Sequence, residues 1–321
     1  MPLCVRPFAS ILRRYSLFMN ESLRRVGQIL ELVTPIRMDL DHVCRFGSEN
    51  DGGYVLVKDF SDGDFLLSMG VANDVNFELE LISLLSGAHL YDDSIVALPK
   101  VVSNSFFYNE RIGGSGCTSI TEAMERIPDH FDLILKVDIE GSEWEALDSL
   151  KTEELNKFRQ IVVEYHWFEK LIDDQDYSRM LRVLSKLSTT HFVLNAHPNN
   201  CGDTLIIENI AFPSIIEVTY LRRLDYSSYI YSKDDLSSVS IFNKPCSPNI
   251  PELYLPSIRE FEKLNLESNS IGMYSRFAFN ELTRERDELT RERDELVAST
   301  IWKLTKPYRR LRTRLKLSKL N

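Results

Sequence analysis

LKVDIEGSEW, residues Leu135 to Trp144, is the stretch on which the reading of the chain turns. The apolar run DLILKV ends at Asp138, and an acidic, glycine-containing turn, DIEGSE, opens a helix-like segment. A short apolar run bounded by a polar turn is how a buried parallel strand presents itself, with polar groups delivered at its carboxyl end. In open α/β folds ligands bind beyond that edge, so the stretch predicts a site as well as a strand. LLSMGVAND, Leu66 to Asp74, repeats the layout: an apolar strand, a glycine turn, a polar tip and a helix beginning near Phe77.

Outward from these two segments the pattern alternates. Strands are predicted at 54–57, 65–69, 88–91, 101–107, 132–138, 160–166, 191–197, 204–209 and 214–221, and helices at 76–86, 118–127, 143–150 and 175–187. Strands separated by helical segments imply βαβ units and a parallel, doubly wound sheet. The last two strands are parted by a few residues around Pro213, which predicts an antiparallel hairpin at the sheet edge. Residues 8–33 carry Phe8, Ile11, Leu12, Tyr15, Phe18, Val26, Ile29, Leu30 and Val33 at helical spacing, and Pro35 stops the run. The expected division is N-terminal amphipathic helices over 1–40, the α/β domain over 41–256, a helical segment over 257–300 and a basic tail over 301–321.

Composition narrows the class. The five cysteines, Cys4, Cys44, Cys117, Cys201 and Cys246, lack CxxC spacing, which favours free thiols in a reducing compartment over a disulfide scaffold or zinc site. No stretch reaches the ~20 apolar residues that span a bilayer, and arginines interrupt the apolar start, so a cytoplasmic protein is expected. Eight Lys or Arg and no acid lie between Lys303 and Lys319; with a net charge of −10 overall, the rest of the chain carries −18. So acidic a body argues against general nucleic-acid binding.

ELTRERD at Glu281–Asp287 is repeated identically at Glu288–Asp294, with Leu282, Leu289 and Leu296 seven apart. This reads as a coiled coil with a thin leucine seam and predicts a homo-oligomer, or as a solvated helix rich in ion pairs. Ile301, Leu304, Tyr308, Leu311 and Leu315 then form a stripe flanked by basic residues. Such a tail suits the surface of an anionic membrane, which would place the protein peripherally on the inner face of the cytoplasmic membrane.

LKVDIEGSEW and LLSMGVAND, with DGGYVL (Asp51–Leu56), VVEYHW (Val162–Trp167), NAHPNN (Asn195–Asn200) and IIEVTYLRR (Ile215–Arg223), resemble the FkbM-like branch of the class I S-adenosylmethionine-dependent methyltransferases over residues 45 to 223. The resemblance implies a Rossmann-like, mostly parallel seven-stranded sheet with an antiparallel edge hairpin. It also implies S-adenosylmethionine as cofactor, held across the carboxyl ends of the first strands. There Gly70 lets the backbone pass close to the cofactor, and Asn73 and Asp74, with Ser68 before them, offer polar contacts. SMGVAND has one glycine where the GxGxG of most class I enzymes has three, so its turn must be built differently. Asp92, or its neighbour Asp93, is placed to accept ribose hydroxyls. Asp51, Gly52 and Gly53 are expected beside the cofactor, as is Asp138.

Three strand ends carry the chemistry: Asp138 and Glu140, then Glu164 and His166, then His197, Asn199 and Asn200. Methyl transfer to a hydroxyl needs a base, and His works near neutral pH. His166 is the first candidate and His197 the second, with Asp138 or Glu164 orienting the imidazole or the acceptor. The same groups could hold Mg²⁺ to acidify a sugar hydroxyl. The leading expectation is an O-methyltransferase acting on a sugar of a surface polysaccharide or lipid-linked glycan precursor. The competing ones are a nucleotide-cofactor enzyme, disfavoured because no GxGxxG follows a strand, and a catalytically silent scaffold that organises a membrane-associated complex.

Overall fold

The structure, a computed structural model, describes residues 21–38, 42–207, 210–232 and 238–270. The expected helix before residue 21, the ELTRERD repeat and the basic tail lie outside the described residues. The chain divides into two units, Met1–Phe261 and Glu262–Asn321, and the description below concerns the first.

In chain order the strands are β1 (Arg37–Met38), β2 (Val43–Gly47), β3 (Gly53–Val57), β4 (Asp64–Met69), β5 (Gly87–Tyr91), β6 (Ser105–Tyr108), β7 (Asp132–Val137), β8 (Phe158–Tyr165), β9 (His191–Pro198), β10 (Thr204–Ile207), β11 (Ile210–Pro213), β12 (Ile216–Arg222) and β13 (Ile230–Ser232). The helices are α1 (Glu21–Val33), α2 (Asn76–Ile82), α3 (Ile120–Glu125), α4 (Glu143–Ser149), α5 (Thr152–Leu155), α6 (Asp174–Thr190), α7 (Arg223–Tyr226) and α8 (Ile258–Ser270).

Seven strands make the central sheet in the order β6-β5-β4-β7-β8-β12-β9, giving the α/β, Rossmann-like doubly wound fold. β4 to β8 are parallel, and β12 runs antiparallel between β8 and β9. The chain fills one half outward from β4 and then returns to β7 beside it. The carboxyl ends of β4 and β7 therefore flank the point where strand order reverses, where an open sheet leaves its crevice.

Helices cover both faces, which is why the strands read as continuous apolar runs. Along β7, Leu133, Leu135 and Val137 join α1, α3, α4 and α6 in one core, while Ile134 joins α2 and the β2–β3 ribbon in the other. Lys136 lies on the Ile134 face by the two-residue period. The amphipathic reading of the N-terminal segment holds over α1, whose Leu23, Val26, Ile29, Leu30 and Val33 are buried. Ser119 caps α3 with a reciprocal Glu122 bond, and Asp173 caps α6 through the Gln175 and Asp176 amides.

Three strand assignments need correction. The expected 204–209 strand leaves the main sheet: β10 pairs with β11 in a two-stranded ribbon, Thr204 opposite Pro213. The sheet's antiparallel edge is instead β12 against β9, with Glu217 opposite both His197 and Glu164. Every residue of β12 is buried, and a strand buried on both faces belongs between two partners, which only the main sheet supplies. The 54–57 strand forms the β2–β3 ribbon outside the seven-stranded sheet. The expected 101–107 strand contracts to β6.

The β2–β3 ribbon is held over the sheet by two buried side chains, Thr219 of β12, which donates to the Val55 carbonyl at 2.7 Å, and Gln160. Gln160 of β8 accepts from the Val57 amide at 2.9 Å and donates to the Val57 carbonyl at 2.8 Å. This pairing fixes Tyr54, earlier on β3, above the crevice. Gln160→Leu leaves both backbone groups of Val57 buried without partners and should lower stability by about 2–4 kcal/mol. The urea midpoint checks it, with the transition slope unchanged.

Candidate active site

The crevice is built around Gly70. It has φ +79°, and a Cβ there would lie 1.5 Å from the Asp138 carbonyl oxygen, so only glycine lets the β4 turn pass under the β7 turn. The Gly70 amide donates to the Tyr91 carbonyl and the Asp138 amide to the Met69 carbonyl, lacing the ends of β4, β5 and β7 together. The missing glycines are replaced by a side chain. Asp92 Oδ2 accepts from the Val71 and Ala72 amides at 2.9 and 2.7 Å, and Oδ1 accepts from the Ser94 amide and hydroxyl. Burial raises the Asp92 carboxyl, but these four bonds more than offset it and leave the pKa below its ordinary value.

Beyond this turn opens a cavity of about 550 Å³, within the ~300–1,000 Å³ typical of small-molecule sites. Asp51, Asp74, Asp92, Asp93, Glu110, Asp138 and Glu140 line it against two cations, Arg111 and Lys136, with Phe77, Tyr91 and Ile112 among the apolar wall. So acidic a lining favours a cationic ligand.

Beneath the floor lies a buried polar set. Lys136 donates to the Gly70 carbonyl, and its Nζ stands 3.9 Å from Asp138 Oδ2 and 4.0 Å from Glu78 Oε1. Ser68 donates to Glu78 at 2.6 Å. Burial pushes the Glu78 carboxyl up, opposed by Lys136 and Ser68. Tyr54 donates to Asp138 Oδ2 at 2.8 Å, and burial raises its phenol well above the usual range.

The second centre lies at the ends of β7 and β8. Glu143, the first residue of α4 and fully buried, turns Oε1 back to accept from the Ile139 amide at 2.9 Å and the Gly141 amide at 3.0 Å. The same oxygen lies 3.0 Å from His166 Nδ1. A carboxylate oxygen can only accept, so Nδ1 carries a proton and, in the neutral ring, Nε2 keeps the lone pair. Nε2 faces Glu140 Oε2 at 3.5 Å and Glu164 Oε1 at 3.6 Å. Burial lowers the His166 pKa, but Glu143, Asp138 and Glu140 more than reverse this, leaving it above the ordinary histidine value. The turn requires its glycine: Gly141 has φ +99°, and a Cβ there would meet the Trp167 ring at 2.2 Å. Trp144 donates to the His166 carbonyl at 2.7 Å and stacks on Tyr165, fixing the β8 end from below.

The expected cofactor residues divide. Asp51, Gly52, Gly70, Asp74, Asp92 and Asp138 line the cavity. Ser68 does not reach it: it is fully buried and spent on Glu78, because alternate residues of a strand face opposite sides. Gly53 and Asn73 are also absent from the lining, the one within β3 and the other exposed. The four donors on Asp92 use its lone-pair sites, so it buckles the turn, and Asp93 is the acid left facing the cavity for hydroxyl groups. Of the catalytic candidates, Asp138, Glu164 and His166 converge.

His197 stands apart, with Nε2 2.9 Å from Glu252 Oε1 and Nδ1 3.6 Å from Glu217 Oε2. Burial lowers its pKa, but the two glutamates outweigh burial and push it up to about 9. Both of its ring nitrogens face glutamates, whereas His166 turns Nε2 to the rim beside the cavity, so the geometry favours His166 as the base. Sequence reading missed Glu143, Lys136, Glu78 and the hydroxyl of Tyr54.

Comparison with known proteins finds one family match. Residues 60–201 match the family model described as the Methyltransferase FkbM domain. The stretch from β4 to β9 is thus similar to the methyltransferase domain of the FkbM family. No curated protein matches the chain. Similar solved structures include an rRNA methylase from Streptococcus thermophilus, at 10% identity and TM-score 0.33, covering 51% of this chain and 89% of that one. Precorrin-6y C5,15-methyltransferase from Geobacter metallireducens gives 12% identity and TM-score 0.30, with 51% and 84% covered. A dimethyladenosine transferase from Plasmodium falciparum gives 13% identity and TM-score 0.32, with 53% and 59% covered.

His197 makes a pH prediction. Its folded pKa of about 9 exceeds the 6.5 of a free histidine, so its contribution is complete below pH 6.5 and is lost as the pH rises through 9. Wild-type stability should fall across that window more than that of His197→Gln, by up to about 3 kcal/mol. Urea unfolding at pH 6 and pH 9.5 on both proteins measures the difference.

Proposed function

We propose that this protein is an S-adenosylmethionine-dependent O-methyltransferase whose acceptor is a sugar hydroxyl of a surface polysaccharide or a lipid-linked glycan precursor. The observation that carries the reading is His166, clamped at Nδ1 by Glu143, with Nε2 turned to the carboxylate rim beside the acidic cavity. The cavity takes the cationic cofactor, with Asp93 toward its hydroxyl groups and the Gly70 turn against its amino-acid end. The acceptor hydroxyl is activated at His166 Nε2, while Glu164, held by Asn199 at 3.0 Å, offers an oxygen to a neighbouring hydroxyl. Burial and the charges of Asp138, Glu217 and Asp51 push the Glu164 carboxyl well above its usual range.

A polyhydroxylated acceptor suits this rim of donors and acceptors better than an apolar one. No helix among the described residues is long and apolar enough to cross a membrane. The basic stripe over 301–321 would bring the domain to an anionic membrane where lipid-linked glycans are assembled, and the heptad leucines would pair two copies.

The test is transfer of a labelled methyl group from the cofactor to a polysaccharide and glycolipid fraction. Label should appear in acid-released sugar as an ether, and His166→Ala should lose about 10²-fold or more in turnover, with cofactor affinity unchanged. Label confined to RNA or protein, or full activity in His166→Ala, would overturn the assignment.

A further inference from the structure

We propose that Asp138, Glu140 and His166 form a binding site for a divalent first-row transition cation. One ligand atom from each of the three lies within 4.8 Å of the other two, close enough for a single ion to be bound by all. Three features of the surroundings fit a cation rather than a chance meeting of polar groups.

The first is the fixed tautomer. Glu143, with no solvent exposure, accepts from His166 Nδ1 while already holding two backbone amides, so it cannot turn away from the ring. A carboxylate behind the remote nitrogen is the arrangement that orients a ligating imidazole and raises its basicity. The second is Glu164. Its side chain is 6% exposed, its Oε1 accepts from Asn199 and lies 3.6 Å from His166 Nε2, and its Oε2 is buried without a hydrogen-bond partner. An unpartnered buried carboxylate oxygen is costly, and positive charge at Nε2 would offset the cost. The third is reach. Glu140 is 88% exposed yet directed to Nε2 at 3.5 Å by a backbone with φ +53°, while Asp138 comes from the cavity side. The ion would therefore sit between solvent and the cavity, with coordination positions free for an acceptor.

The donor set chooses the metal. Three oxygens or more suit Mg²⁺ or Ca²⁺, but one imidazole nitrogen with two carboxylates favours the borderline ions Mn²⁺, Fe²⁺ and Zn²⁺ over Mg²⁺. This departs from the magnesium expected from the sequence. A hydroxyl bound to such an ion would lose its proton more easily, so with the ion bound the activation assigned above to the Nε2 lone pair would pass to the cation.

The inference does not need the methyltransferase reading, and its test does not use activity. Mn²⁺ is titrated into the full chain, freed of metal by chelation, with calorimetry for affinity and pulsed electron paramagnetic resonance for the ligands. One Mn²⁺ per chain should bind, withstand a large excess of Mg²⁺, and show coupling to a single imidazole nitrogen. Asp138→Asn should weaken it, Glu143→Gln should weaken it by about 10–100-fold, and His166→Gln should remove the nitrogen coupling. Circular dichroism reports whether each variant folds, and the wild-type nitrogen coupling stands even if one does not. Absence of Mn²⁺ binding, binding without nitrogen coupling, equal displacement by Mg²⁺, or nitrogen coupling kept in His166→Gln would overturn the site.

Discussion

Glu143 is the constraint on which the site depends. One buried oxygen receives the Ile139 and Gly141 amides and the His166 ring, joining the turn after β7 to the end of β8. Without it the turn's left-handed residues, Glu140 and Gly141, would have no acceptor for the amides that bracket them. Hydrogen bonds to a charged buried group are worth about 1.5–3 kcal/mol each. The knot therefore fixes at once the shape of the DIEGSE turn, the tautomer of His166 and the direction of Nε2.

The other half of the site follows a parallel logic on the β4 side. Asp92 does for the Gly70 turn what Glu143 does for the Gly141 turn, gathering backbone amides onto one carboxylate. Two carboxylates thus shape the two loops that meet where Gly70 passes beneath Asp138. The cost is an excess of negative charge, relieved in part by Lys136 beneath. A sulfonium cofactor, as proposed here, would supply positive charge from above and relieve the rest.

Much of this was legible in the sequence. Buried parallel strands declare themselves as apolar runs, and Gly70 stood out because a glycine between strand and polar tip signals a close backbone passage. The convergence of Asp138, Glu164 and His166 followed from two neighbouring strand ends, of β7 and β8, sharing one rim, while His197 on the third expected end stands apart. What was not legible depended on partners distant in the chain. His197 looked like a base until its neighbours were known: Glu217 on the next strand and Glu252, 55 residues away. Glu143 was hidden by its ordinariness, since an acid in the first turn of a helix is expected for the helix dipole alone. Lys136 passed as a strand residue and Ser68 was expected to reach the cofactor, because nothing in the local sequence says that Glu78 waits for both. The edge pairing of β12 went astray because closeness in sequence favoured β10, while burial on both faces required β8 and β9.

The most direct test of the account is calorimetric titration of the protein and of Gly70→Ala with S-adenosylmethionine. The account predicts one site per chain in the wild type, with heat of binding and a raised unfolding temperature, and neither in Gly70→Ala, where the new methyl group must displace the Asp138 carbonyl. No heat and no thermal shift in the folded wild type, or equal binding by Gly70→Ala, would contradict it.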